Sequence, residues 1–179
     1  MTSRLWRRRA RVLVQEESHI HCDSGDGAQV LSNLNLIPID SANGTFTQEE
    51  VASAIRRADS GRVRTGIGVI AIESPIRRRL GRLFDYEEMR RICAFAKREG
   101  IATHLDGARL FMASAYSGIE PAEYASHFDT VYVSMWKYFN ATAGAILAGP
   151  RRLPAWLARS GTATRPTGGT EASSWAPTR

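Results

Sequence analysis

Lysine is almost missing from this chain. Among its 24 basic residues only Lys97 and Lys137 carry a primary amine, and the rest are arginines. A guanidinium keeps its proton, whereas an amine can lose one and form a Schiff base. A lysine kept in so arginine-rich a sequence is therefore a candidate for chemistry that arginine cannot perform. Cysteine is scarce as well. Cys22 and Cys93 are too few for a disulfide framework, which makes a reducing compartment the default. No apolar run approaches the roughly 20 residues that span a bilayer. The start, MTSRLWRRRARVLVQEESH, has the positive flank of a secretory signal, but only Val12, Leu13 and Val14 follow before Gln15-Glu16-Glu17. That core is too short for a signal, so a cytoplasmic protein with no membrane contact is expected. Aromatic content is 8%, and no aromatic series alternates with the arginines to make a stacking platform. The net charge of +6 is read as a solvated basic surface, without specific nucleic-acid binding.

What is present suits one domain with a real core: 179 residues, 43% of them hydrophobic. Residues 12–15 and 35–39 read as strands. Thr47-Gln48-Glu49-Glu50 is a capping box followed by Val51, Ala54, Ile55 and Ala58 at helical spacing. The run GIGVIAI, residues 66–72, is a further strand. Asp85-Tyr86-Glu87-Glu88 opens a second helix with Met89, Ile92, Cys93 and Ala96 as its buried stripe and Gly100 as its stop. A strand over 101–105, a helix from about 108 to 116, a short helix at Pro121, and strands over 130–133 and 144–149 complete the pattern. Strands alternating with helices predict an α/β fold, a mostly parallel sheet with helices on both faces. Residues 1–11 read as a basic N-terminal segment and 12–150 as the folded unit. Residues 151–179 lack Val, Ile, Phe and Met and are expected to be disordered or read from a shifted frame.

In such sheets ligands gather outside the carboxyl ends of the strands. Ser18 and His19 follow the first strand, Glu73 and Ser74 the third, Asp106 the fourth, and Ser134 and Lys137 the fifth. A strand-end aspartate and a lysine on the next strand-end loop suit pyridoxal phosphate. The amine joins the cofactor aldehyde, and the carboxylate keeps the pyridine nitrogen protonated so that the ring draws electrons from a bond to the substrate α-carbon.

The segments VLVQEESHI (residues 12–20), HLDGARLF (104–111) and VYVSMWKYFNATAGAILAG (131–149) resemble the threonine aldolase and β-eliminating lyase family, which are fold-type-I pyridoxal-phosphate enzymes. The resemblance implies that Lys137 carries the cofactor, that His19 stacks on its ring and assists proton transfer, and that Asp106 binds the pyridine nitrogen. It further implies a cofactor contact from Ser134 and a substrate-carboxylate contact from Arg109. The activity implied is cleavage of the Cα–Cβ bond of β-hydroxy-α-amino acids, threonine or allo-threonine to glycine and acetaldehyde, in a homodimer or homotetramer. The family also has a glycine-rich phosphate loop upstream and a smaller C-terminal domain, neither of which is read in these residues. ESPIRRRLGR, residues 73–82, lacks the family's Asn-Thr-His stretch. A partial large domain is expected, with a catalytically inactive remnant as the alternative.

Plainer roles compete at each position. Asp106 alone would serve as an N-cap, and Arg109 as half of a surface ion pair. Lys97, beside Arg98 and Glu99 near a helix end, reads as a surface lysine. Arg77, Arg78 and Arg79 read as a solvated loop. His19 and His21 would share one face of an extended strand, yet with Cys22 and Asp23 they match no standard zinc spacing, so no metal is expected.

Overall fold

The computed structural model describes residues 10–39 and 43–149. Six strands, β1 (Arg11–Gln15), β2 (Asn35–Ile39), β3 (Ile67–Glu73), β4 (Ala102–Asp106), β5 (Thr130–Ser134) and β6 (Ala145–Ala148), form one sheet in the order β2-β1-β3-β4-β5-β6. The first five run parallel, and β6 returns antiparallel to β5. The helices are α1 (His19–Cys22), α2 (Gly27–Ser32), α3 (Gln48–Asp59), α4 (Tyr86–Glu99), α5 (Leu110–Ser117) and α6 (Pro121–Ser126). The α/β architecture predicted from the alternation is present, with boundaries displaced by one or two residues.

Both capping signals do what their chemistry dictates. Thr47 Oγ1 accepts the Glu50 N–H and Glu50 returns a bond to the Thr47 N–H, while Asp85 accepts from Glu88 N–H. Gly100 closes α4 with φ of +64°, a left-handed turn that costs glycine little.

The two faces of the sheet read directly from the period-two pattern of its strands. Leu13, Ile70, Ile72, Leu105 and Val131 enter the larger core with Val51 and Ala54 of α3 and Met89, Ile92 and Ala96 of α4. Val12, Val14, Leu36 and Ala71 face the other way and bury against Ala28 of α2. Helices α1 and α2 were not predicted. At four and six residues they are too short to show a periodic apolar stripe, and tertiary contacts decide them. One expectation is corrected: His19 and His21 lie on α1, where two positions along a helix turn the side chains about 200° apart instead of onto the shared strand face. The segments 1–9 and 151–179, including most of the basic N-terminal stretch and all of the expected tail, lie outside the described residues.

Chain order fixes where a ligand would enter. From β1 the chain passes to β2 on one side and then crosses to β3 on the other, so connections diverge between β1 and β3. A doubly wound sheet leaves its crevice at such a switch point, at the strands' carboxyl ends.

Candidate active site

The sheet's carboxyl edge carries every residue that the sequence proposed for the site. His19 opens α1 after β1, Asp106 ends β4, Ser134 ends β5, and Lys137 lies in the turn joining β5 to β6. Register brings neighbours together: Glu73 stands opposite Asp106 across β3 and β4, and Asp106 opposite Tyr132 across β4 and β5. Arg109 precedes α5 as its N-cap residue, one position outside the first turn expected for it.

Asp106 is not the N-cap that its residue type suggested, since Arg109 holds that position, but it shapes the turn before the helix. Its Oδ1 accepts the Ala108 N–H at 3.0 Å and so fixes the turn into α5, while Oδ2 has no partner among the described residues. Gly107 permits this turn. A Cβ there would stand 3.0 Å from the Tyr132 carbonyl oxygen and 3.1 Å from Leu110 Cβ. Gly107→Ala is therefore expected to cost about 1–3 kcal/mol of stability by overpacking and to displace Asp106 and Arg109 together. Denaturant unfolding reads the first effect, and weakened cofactor binding reads the second.

Lys137 is half-buried, with Nζ 5.0 Å from the Trp136 ring centroid. Burial first, and then the Arg109 guanidinium, pull its pKa below the usual amine range, with Arg77 acting the same way. Asp106 and Glu73 oppose them. Two cations and two carboxylates thus act on one amine. The Trp136 contact favours the ammonium by about 0.5–1 kcal/mol and so acts against the burial.

Hydroxyls complete the edge. Among the described residues four buried side-chain polar atoms lack a hydrogen-bond partner, and three of them, Ser18 Oγ, Ser134 Oγ and Tyr138 Oη, lie at the end of β5 or in the segments that follow β1 and β5. A buried polar atom left unpaired is costly, so three of them along one edge point to a polar ligand. With an amine of depressed pKa and a carboxylate oxygen still free, the donor set fits pyridoxal phosphate: one nucleophile, one anion and hydroxyls for ring or phosphate oxygens.

Three other polar groups, none of them assigned to the site from the residues alone, shape this edge. Glu73 is 4% exposed, Gln15 is 1% exposed, and Asp23 is half-buried. Gln15 Nε2 donates to the Glu73 carbonyl and Gln15 Oε1 accepts the Glu73 N–H, both at 2.8 Å, in place of a strand ladder beyond Leu13. Asp23 accepts from Arg77 Nη1 at 3.1 Å and Arg78 Nη2 at 2.6 Å and faces His19 Nδ1 at 3.4 Å. The hydrogen bond and charge of Arg78 hold the Asp23 carboxyl down at about 2. The arginine run expected to be a solvated loop is thus exposed but paired, Arg79 with Glu17 included. A polar residue closing an otherwise apolar strand was the only signal for Gln15 and Glu73. For Asp23 it was the four-residue spacing from His19.

His104, two residues before Asp106, bonds through Nδ1 to Thr130 Oγ1 at 2.8 Å, and burial pulls its pKa below the ordinary imidazole range. The folded state therefore binds this proton more weakly than the unfolded chain. Its contribution is present above the unfolded imidazole pKa and is lost as pH falls through that range. Thermal unfolding midpoints are expected to drop between about pH 7 and pH 5, and His104→Gln should flatten that slope. Burial of Glu73 raises its pKa and acts in the opposite sense, so the variant isolates the histidine.

Comparison with known proteins follows the same outline. The family model described as beta-eliminating lyase matches residues 1–169. The low-specificity L-threonine aldolase of Candida albicans is 32% identical over 143 residues, which cover 79% of this chain and 37% of that protein. Alanine racemase TOXG of Cochliobolus carbonum is 35% identical over 145 residues, covering 79% of this chain and 36% of that protein. Among solved structures, a candidate L-allo-threonine aldolase of Listeria monocytogenes superposes with a TM-score of 0.67 at 31% identity, covering 78% of this chain and 36% of that one. The chain thus spans little more than a third of the length of these relatives. Among the described residues no helix is long and apolar enough to cross a membrane. The match runs through the strands and the turn that carry Asp106 and Lys137, and on that ground the chain belongs to the beta-eliminating lyase family.

Proposed function

We propose that this chain forms the cofactor-binding part of a pyridoxal-phosphate-dependent lyase of the threonine aldolase type, acting on β-hydroxy-α-amino acids. Family membership implies the cofactor. The observation that carries the reading is the amine of Lys137, with its depressed pKa, on the same sheet edge as Asp106 and the unpartnered Ser134 hydroxyl.

Pyridoxal phosphate, when bound, supplies an electron sink for the bond broken at the α-carbon. The residues of the chain do the rest. Lys137 offers an uncharged amine more readily than a solvated lysine would, because burial and Arg109 disfavour its ammonium. Asp106 presents a negative charge to the pyridine nitrogen through the oxygen that Ala108 leaves free. His19, with an exposed ring at the β1–β3 crevice, gives a flat surface for stacking and a nitrogen that can carry a proton. The ring is braced by Asp23. Ser134 donates its hydroxyl to the cofactor, and Arg109 takes the substrate carboxylate, where a planar guanidinium suits bidentate pairing.

Assembly into a homodimer or homotetramer belongs to the same reading. Trp136, Phe139, Ile146 and Leu147 expose apolar surface around the turn that bears Lys137, and β6 is exposed along its whole length. Such a patch beside a site suits cover by another subunit or by further chain.

The relatives carry more than one activity in their names, aldolase and racemase among them. The test offers the pyridoxal-phosphate-loaded chain threonine, allo-threonine and alanine. Glycine and aldehyde from the hydroxy amino acids are expected. Inversion of alanine without glycine release would replace aldol cleavage by racemisation. Cofactor capture without turnover of any of the three would identify an inactive remnant.

A further inference from the structure

We infer that Glu73 is a positioning residue of this site, its carboxylate clamping the backbone amides of His19 and Arg77 so that the imidazole and the arginine turn are tied to one strand end. Glu73 Oε2 accepts the His19 N–H at 2.6 Å, and Oε1 accepts the Arg77 N–H at 2.9 Å. A carboxylate is acceptor-only and has an oxygen for each donor, whereas a carboxamide would turn an N–H₂ toward one of them. Neither amide has an obvious substitute. Ser18, the N-cap of α1, makes no side-chain capping bond, and Ile76, which precedes the arginine turn, has no polar side chain.

The clamp is rigid at its root. Gln15 grips the Glu73 peptide from both sides inside the protein, where β1 and β3 no longer pair. One buried side chain thus bridges the switch point, joining the loop after β1 to the turn after β3. Four groups from other segments act on it or are acted on by it: His19 on α1, Arg77 in the turn after β3, Asp106 on β4 and Lys137 after β5. Burial raises the Glu73 pKa above the ordinary glutamate range and the charge of Asp106 adds to this, while its two backbone hydrogen bonds pull the other way. Protonation removes one acceptor, so mild acid releases an amide and frees either His19 or the arginine turn. The catalytic consequence rests on the cofactor role proposed for His19; the clamp itself does not.

The test follows the backbone amides at positions 19 and 77 by heteronuclear NMR from neutral to acid pH. His19→Gln, studied in parallel, removes the imidazole from the readout. Both amides are expected to shift with one common midpoint above that of an exposed glutamate, and Glu73→Gln is expected to abolish the shared transition. Glu73→Gln also removes a charge that favours the Lys137 ammonium, so the pH at which borohydride traps half of the pyridoxal phosphate on Lys137 should fall. A fold that is merely loosened would not lower that midpoint. Amides that titrate separately, or not at all, in the unaltered chain overturn the clamp even if Glu73→Gln fails to fold. If the amides titrate together and no cofactor is trapped, the functional reading falls and the clamp stands.

Discussion

Lys137→Ala is expected to abolish the borohydride-fixed adduct with pyridoxal phosphate, and Lys137→Arg to do the same while keeping the positive charge. The chain offers an unusually clean background for this experiment, since Lys97 is the one other lysine side chain. Lys97 is exposed in the last turn of α4, which leads away from the sheet's carboxyl edge. Lys137 is half-buried beside Arg109, and both influences favour its neutral form. Each unit by which an amine pKa falls multiplies its reactive fraction about tenfold near neutral pH. Adduct should therefore form on Lys137 first, with a visible absorption band and quenched Trp136 emission, because that ring lies 5.0 Å from the amine. Peptide mapping decides the matter. Label on Lys97 with none on Lys137 would remove the amine from the proposed site.

Asp106→Asn should leave the fold nearly intact and weaken cofactor binding by about ten- to a thousandfold, the factor that corresponds to 1–3 units of pKa, roughly 1.4–4 kcal/mol. The asparagine carbonyl can still accept the Ala108 N–H, so the turn into α5 is preserved. What disappears is the negative charge, and with it the preference for a protonated pyridine nitrogen. Asp106→Ala removes both and should cost a further 0.5–1.5 kcal/mol or so of stability, as the loss of one side-chain-to-backbone hydrogen bond does. The pair separates the two roles that a strand-end aspartate can have. Equal cofactor affinity in the Asn variant, measured by titrating the visible band, would reduce Asp106 to a turn-forming residue.

Most of the scaffold was legible because its signals are local. The capping boxes at Thr47 and Asp85, the stop at Gly100 and the period-two strands each depend on residues a few positions apart. The short helices α1 and α2 were not legible, since a four-residue helix has too few side chains to show a period and is held by contacts from elsewhere. His19 was put forward as a candidate, but the means by which it is held were not legible. Its backbone anchor is Glu73, 54 positions away, and its ring partner Asp23 is shared with Arg77 and Arg78.

By itself the sequence determined the α/β class and the placing of Asp106, Ser134 and His19 at strand ends, and it offered Lys137 over Lys97 as the candidate amine. Each of these follows from side-chain type and spacing along the chain. Only the tertiary structure decided which strand ends are neighbours, that Gln15 and Glu73 close the gap between β1 and β3, and that three buried hydroxyls stand unpaired at one edge. The reason is physical: hydrogen bonding and charge act through distances in space, and a parallel sheet brings together residues that the chain keeps far apart.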